Sequence, residues 1–101
     1  MKKNEVLELK NDNLEDYMVE PHLLVVYTAR HCGACIRLKP HLYTLPPQIK
    51  VIIVDSEVNV RSNRFFPKGV AFYPTLAYFE DGKFKKEISQ LDIIVGNVVF
   101  E

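Results

Sequence analysis

The sequence predicts an α/β fold, a central mixed sheet of four to five strands flanked by helices. Three observations carry this reading. The runs LLVVYT (23–28) and VIIVD (51–55) are apolar at nearly every position, as strands are in the middle of a parallel sheet covered on both faces. Between them Cys35, Leu38, Leu42 and Leu45 recur at helical steps and mark one buried helix face over the segment Cys32–Leu45. After them TLAYF (75–79), the turn EDGK and FKKEI (84–88) form a β-hairpin with Asp81-Gly82 at its tip.

The remaining elements fit around this frame. VLEL (6–9) is a short alternating strand. NDNLEDYMVEP (11–21) reads as a helix, with Asp12 and Glu15 spaced as a capping box, Leu14, Tyr17 and Met18 on one face, and Pro21 as its stop. Pro46-Pro47 ends the second helix, and Pro40 inside it should bend it without ending it. The two apolar runs and that helix make a βαβ unit. Asn59–Phe66 reads as a further helix anchored by Phe65 and Phe66, and the many charges of Lys83–Glu87 suit an edge strand. The tail SQLDIIVGNVVFE allows a helix with Leu91, Val95 and Val98 on its face, or a hairpin about Gly96-Asn97, and the helix is preferred.

Composition narrows the function. A chain of 101 residues is expected to be a single domain, 1–101, and its formal net charge of zero argues against nucleic acid as a partner. MKKNEVLELK places Asn4, Glu5 and Glu8 where a signal peptide would need an apolar stretch, and no run approaches a membrane span. The expected compartment is therefore the cytoplasm, where thiols stay reduced and a permanent structural disulfide is disfavoured. A structural zinc site needs about four ligands. Two cysteines would have to recruit His31, His41 or His22, so no metal and no other cofactor is expected. His22 and His41 read as plain surface histidines.

What remains is HCGACIRLKP (31–40), holding both cysteines, where the strand Leu23–Thr28 gives way to a helix. Ligand sites of open α/β sheets lie at that end of the strands. At i and i+3 the sulfurs meet across the first helical turn. Cys32 stands at the exposed start, where unpaired N–H groups and the helix dipole favour a thiolate, and Cys35 continues the buried face. Cys32 would attack a disulfide in another molecule and Cys35 would resolve the mixed disulfide. Gly33 and Ala34 form a small linker that lets another chain approach.

C-x-x-C beside a βαβ pattern is the mark of a thioredoxin-like motif, and the chain resembles the thioredoxin family along nearly its whole length. LLVVYTARHCGACIRLKPHL is similar to the family's strand, active-site loop and proline-bent helix, VIIVDSE to its next strand, and YPTLAYFEDGK to its cis-proline strand and turn. The resemblance implies the thioredoxin fold and a protein disulfide oxidoreductase with Cys32 as nucleophile and Cys35 as resolving thiol. It implies Pro74 in cis facing the dithiol, Tyr73, Pro74 and Thr75 as the substrate-binding segment, and disulfides of other proteins as substrates. An electron donor such as thioredoxin reductase would serve it, and the protein would act as a monomer without a membrane. The chain departs from the family's pattern at His31 (usually tryptophan), Ala34 (proline in reductases), Val26 (a buried acid that assists the resolving thiol) and Tyr73 (aliphatic or threonine). It also lacks a glycine in Ile88–Asp92 and has a shorter tail. Arg30, His31, Gly33 and Ala34 are expected to tune the dithiol, and Val26 to slow resolution by Cys35. Two other functions fit the same fold: a protein-binding module without turnover, kept open by His31, Val26 and Tyr73, and a glutaredoxin-like reductase, disfavoured because no glycine pair follows the Pro74 strand.

Overall fold

The structure is a computed structural model that describes residues 4–100; the opening Met-Lys-Lys and Glu101 lie outside the described residues. Its elements are β1 (Val6–Glu8), a 3-10 turn (Leu14–Tyr17), β2 (His22–Thr28), α1 (Gly33–Leu42), β3 (Lys50–Asp55), a second 3-10 segment (Val60–Phe65), β4 (Thr75–Glu80), β5 (Lys83–Ile88) and α2 (Gln90–Val95). The strands form one mixed sheet in the order β1-β3-β2-β4-β5. β1 and β2 run parallel to β3, whereas β4 runs antiparallel to β2 and β5 to β4.

The two apolar runs of the sequence become the two inner parallel strands. None of Leu23–Tyr27 is more than 1% exposed, so β2 is covered on both faces as well as paired on both edges. One face of the sheet packs Leu24, Val26, Val51 and Ile53 against Leu38 and Leu42 of α1. The other packs Val25, Tyr27, Ile52 and Val54 against Leu9, Leu14 and Phe66. The charged β5 lies at the edge, and Asp81 and Gly82 both take positive φ in the tight turn before it.

Five local expectations are corrected. Residues 11–21 form no α-helix but only the 3-10 turn. Asp12, at a φ of 50°, turns its carboxylate away from its own segment and accepts the Arg61 and Ser62 backbone N–H groups and the Ser62 hydroxyl, at 3.0, 2.9 and 2.6 Å. A capping side chain spent on a segment 50 residues away cannot start its own helix. Val60–Phe65 is likewise a 3-10 segment, and α1 stops at Leu42, leaving Leu45 buried in the following turn. The tail does form a helix, but of six residues, ended by Gly96 in the left-handed region. So short a helix has no room for an i, i+4, i+7 stripe; it buries Ile93 and leaves Leu91 and Val95 65% and 54% exposed. Finally, His22 is no plain surface histidine. Its Nδ1 lies 2.8 Å from the Tyr78 hydroxyl, which donates to Glu80, and its ring stacks on Tyr78.

The Asp12 knot sets an acid-side stability limit. The Ser62 hydroxyl, helped by the two backbone N–H groups, holds the Asp12 carboxyl below its ordinary value of 3.8. A carboxyl lowered on folding stabilises the native state above its unfolded pKa and loses that contribution as pH falls through the folded one. Asp12→Asn is therefore expected to lower the melting temperature at neutral pH and to flatten its decline below about pH 4. Thermal melts from neutral to acid pH check this; parallel curves for the two proteins would contradict it.

Candidate active site

Parallel pairing of β2 with β3 and antiparallel pairing with β4 bring three chain segments to one end of the sheet: the exit of β2, the exit of β3 and the entry of β4. The turn between β2 and α1 is held from the β3 side. The Thr28 carbonyl accepts the Ser56 N–H at 2.8 Å, and the Arg30 N–H donates to the Glu57 carboxylate at 3.0 Å. Asp55 shapes that second loop by accepting the Glu57 and Val58 N–H groups. His31 then takes a φ of 56°, a left-handed conformation uncommon for a side-chain-bearing residue, and it is exposed.

Cys32 is the N-cap of α1, in extended conformation, and its sulfur accepts the Cys35 N–H at 3.1 Å. Sγ thus occupies the place that a capping oxygen usually takes at the positive end of a helix. Cys32 and Cys35 form a disulfide with their Cα atoms 5.3 Å apart. Both are half-buried, so Cys35 lies less deep than the Leu38 and Leu42 face it begins. Between them Gly33 is exposed and Ala34 half-buried. A side chain on Gly33 would meet only the flexible end of Arg37, at 3.3 Å.

Behind the disulfide lies a cleft of about 170 Å³. Its lining includes Val26, Ile53, Cys32, Cys35, Glu8 and Lys39. Three contributors here escaped the sequence reading. Lys39 is four residues beyond Cys35 on the same helix face, a spacing visible in the sequence. Glu8 is brought in by the pairing of β1 with β3, which no local pattern reveals, and its carboxylate stands 3.5 Å from the Lys39 ammonium. The Gln90 side chain donates to the Ala34 carbonyl at 3.4 Å and joins the start of α2 to the dithiol linker.

The β4 entry supplies the other side of this end. The Tyr73–Pro74 bond is cis. Thr75 pairs with Tyr27, the residue before the last of β2, so the bond lies at the same end of the sheet as the dithiol. Pro74 is buried, while Phe72 and Tyr73 stand 57% and 37% exposed. Thr75 is 1% exposed and its hydroxyl donates to the Phe72 carbonyl at 2.6 Å, so that side chain holds the loop. His41 lies outside this cluster, in the last turn of α1. Among the described residues no group of three or more His, Cys, Asp or Glu side chains could hold a metal ion, and no helix is long and apolar enough to cross a membrane.

The chain as a whole is similar to known proteins. The thioredoxin family model matches residues 5–93. The chain belongs to the thioredoxin family. It is 33% identical over 78 residues to a thioredoxin of Chlamydia muridarum (strain MoPn / Nigg), a match covering 74% of each chain. It is 34% identical over 84 residues to protein disulfide-isomerase A3 of Gallus gallus, covering 79% of this chain but 17% of that relative; for protein disulfide-isomerase A5 of Mus musculus the share of the relative is 13%. The chain thus spans only a small part of those two relatives. A mutant thioredoxin from Halobacterium salinarum NRC-1 superposes with a TM-score of 0.76 at 26% identity, covering 92% of this chain and 85% of that one. A thioredoxin-family fold with a disulfide-forming Cys32–Cys35 pair supports thiol–disulfide oxidoreductase chemistry.

The capping geometry predicts the titration of the reduced protein. A thiolate at Cys32 gains the Cys35 N–H and the helix terminus, so the alkylation rate of Cys32 should reach half its plateau at a pH below the ~8.5 of a free thiol. Cys35 should react more slowly. A midpoint equal to that of a free thiol would contradict the geometry.

Proposed function

We propose that this chain is a thiol–disulfide oxidoreductase that reduces disulfides of other proteins. The observation that carries the proposal is the Cys32–Cys35 disulfide, with Cys32 as the cap of α1 at the exit of β2. In the reduced protein the Cys32 thiolate attacks one sulfur of a partner disulfide, forming a mixed disulfide and releasing the partner's first thiolate. The Cys35 thiolate then attacks Cys32 Sγ, closes the Cys32–Cys35 bond and releases the second. Two electrons pass to the partner and no bound cofactor is needed. A dithiol-donating enzyme such as thioredoxin reductase restores the pair.

The roles of the surrounding residues follow from their places. Exposed Phe72 and Tyr73, ahead of Pro74 at the entry of β4, offer an apolar surface to an extended segment of the partner. His31 and Arg30, exposed before Cys32, add positive charge beside the attacking sulfur when His31 is protonated, which stabilises the thiolate and makes the pair less reducing. We place the protein in the cytoplasm as a monomer.

Reduction of insulin-type disulfides tests the proposal. With thioredoxin reductase or a chemical dithiol as electron source, the protein is expected to turn over, and Cys32→Ser to abolish turnover. Turnover that survives Cys32→Ser, or none with either source, would overturn it; the second result would favour a protein-docking module instead.

A further inference from the structure

We infer that Glu8, held by Lys39 at the mouth of the cleft behind the disulfide, is the proton acceptor for Cys35 during resolution of the mixed disulfide. The inference rests on the oxidoreductase reading above and concerns its second step. For Cys35 to attack, its thiol must lose a proton, and the inner sheet offers no group to take it. Val26, 1% exposed, and Ile53 form the apolar floor of the cleft. Any acceptor must therefore reach the cleft from its rim.

The sheet register supplies one. Residues paired directly across a sheet point to the same face. Glu8 pairs with Ile53, Ile53 with Val26, and Val26 with Leu76, so the four form one row beneath α1. Three members are buried and apolar; the row ends at the edge strand in a carboxylate. Above the row, α1 carries Cys35 and, one turn on, Lys39, whose ammonium lies 3.5 Å from the Glu8 carboxylate. One partner of the pair stands on β1 and the other on α1, and both side chains line the cleft. Besides the cysteines, the charged or titratable side chains lining the cleft are Glu8 from β1, Lys39 from α1 and His31 from the β2–α1 turn. His31 neighbours Cys32, on the exposed left-handed turn; Glu8 and Lys39 lie on the Cys35 side.

A cleft of about 170 Å³ has room for several waters between the rim and the sulfur. In the mixed disulfide the Cys35 thiol gives its proton through such water to the Glu8 carboxylate. The resulting thiolate, favoured by the Lys39 cation, attacks Cys32 Sγ. The bond between Cys32 Sγ and the partner sulfur breaks, and its electron pair leaves on the partner thiolate, which is protonated from solvent. The pair is oxidised, the partner reduced, and Glu8 returns its proton to water.

The test follows the two steps separately. A chromophoric aromatic disulfide reacts with the reduced protein to release one coloured thiolate when Cys32 attacks and a second when Cys35 resolves. For Glu8→Gln the first phase is expected at the wild-type rate. The second should be slowed roughly tenfold near neutral pH, below the ~10²–10⁴ of shielded acid–base groups because Glu8 is 61% exposed. Its pH midpoint should move upward, and the two proteins should converge at alkaline pH, where Cys35 ionises unaided. Lys39→Met should slow the second phase in the same pH-dependent way. Both side chains are on the surface, so neither change removes core packing. A second phase in Glu8→Gln with wild-type rate and pH midpoint, or one slowed equally at all pH, would overturn the inference while a normal first phase leaves the oxidoreductase reading standing. A wild-type protein that releases neither thiolate would overturn both.

Discussion

The site depends on the burial of β2. Strand Leu23–Tyr27 is hydrogen-bonded to β3 on one edge and β4 on the other, with apolar layers on both faces. Displacing it would expose five apolar side chains, each contributing about 1.5–3 kcal/mol when fully buried. Its carboxyl end is accordingly a fixed point, and the segments that matter are measured from it. Cys32 follows after a turn tied to the β3 exit by the Thr28 and Arg30 bonds, and the Tyr73–Pro74 segment precedes the β4 residue that pairs with Tyr27. A rigid scaffold thereby holds a reactive loop, an arrangement that suits chemistry needing a sulfur presented at a set angle.

From this fixed point the two cysteines acquire unequal surroundings. Cys32 is outside the helical hydrogen-bonding pattern and caps it, so a negative charge there meets the Cys35 N–H and the helix terminus. Cys35 is inside the helix and faces a cleft floored by Val26 and Ile53. An apolar floor disfavours charge at Cys35, and the Glu8–Lys39 pair at the rim is where the structure places a compensating group. The asymmetry between an attacking and a resolving thiol is thus built from one helix start and one sheet row.

Much of this was legible in the sequence. The continuous apolar runs announced the inner strands, Asp81-Gly82 the hairpin, and the step from Cys35 through Leu38 to Leu42 the face of α1, because each is a local pattern with a local cause. The misreadings share a different cause. Asp12 and Glu15 have capping-box spacing, yet Asp12 is drawn to Ser62 across the fold. His22 looks like a surface residue until Tyr78 is paired beside it. Glu8 is one of several acids near the start of the chain, and only the register of β1 against β3 sets it over the cleft. Polar side chains take partners distant in sequence, and those partners become visible only once the strands are in register. The residues shaping the second chemical step were for that reason the hardest to find.

The division of labour between the two sulfurs is read by trapping the mixed disulfide. Reduced Cys35→Ser and Cys32→Ser proteins are each mixed with a peptide disulfide, quenched with acid and weighed by mass spectrometry. A persistent mixed disulfide on Cys32 is expected in Cys35→Ser, and little or none on Cys35 in Cys32→Ser. Equal trapping by the two variants, or trapping through Cys35 alone, would contradict it.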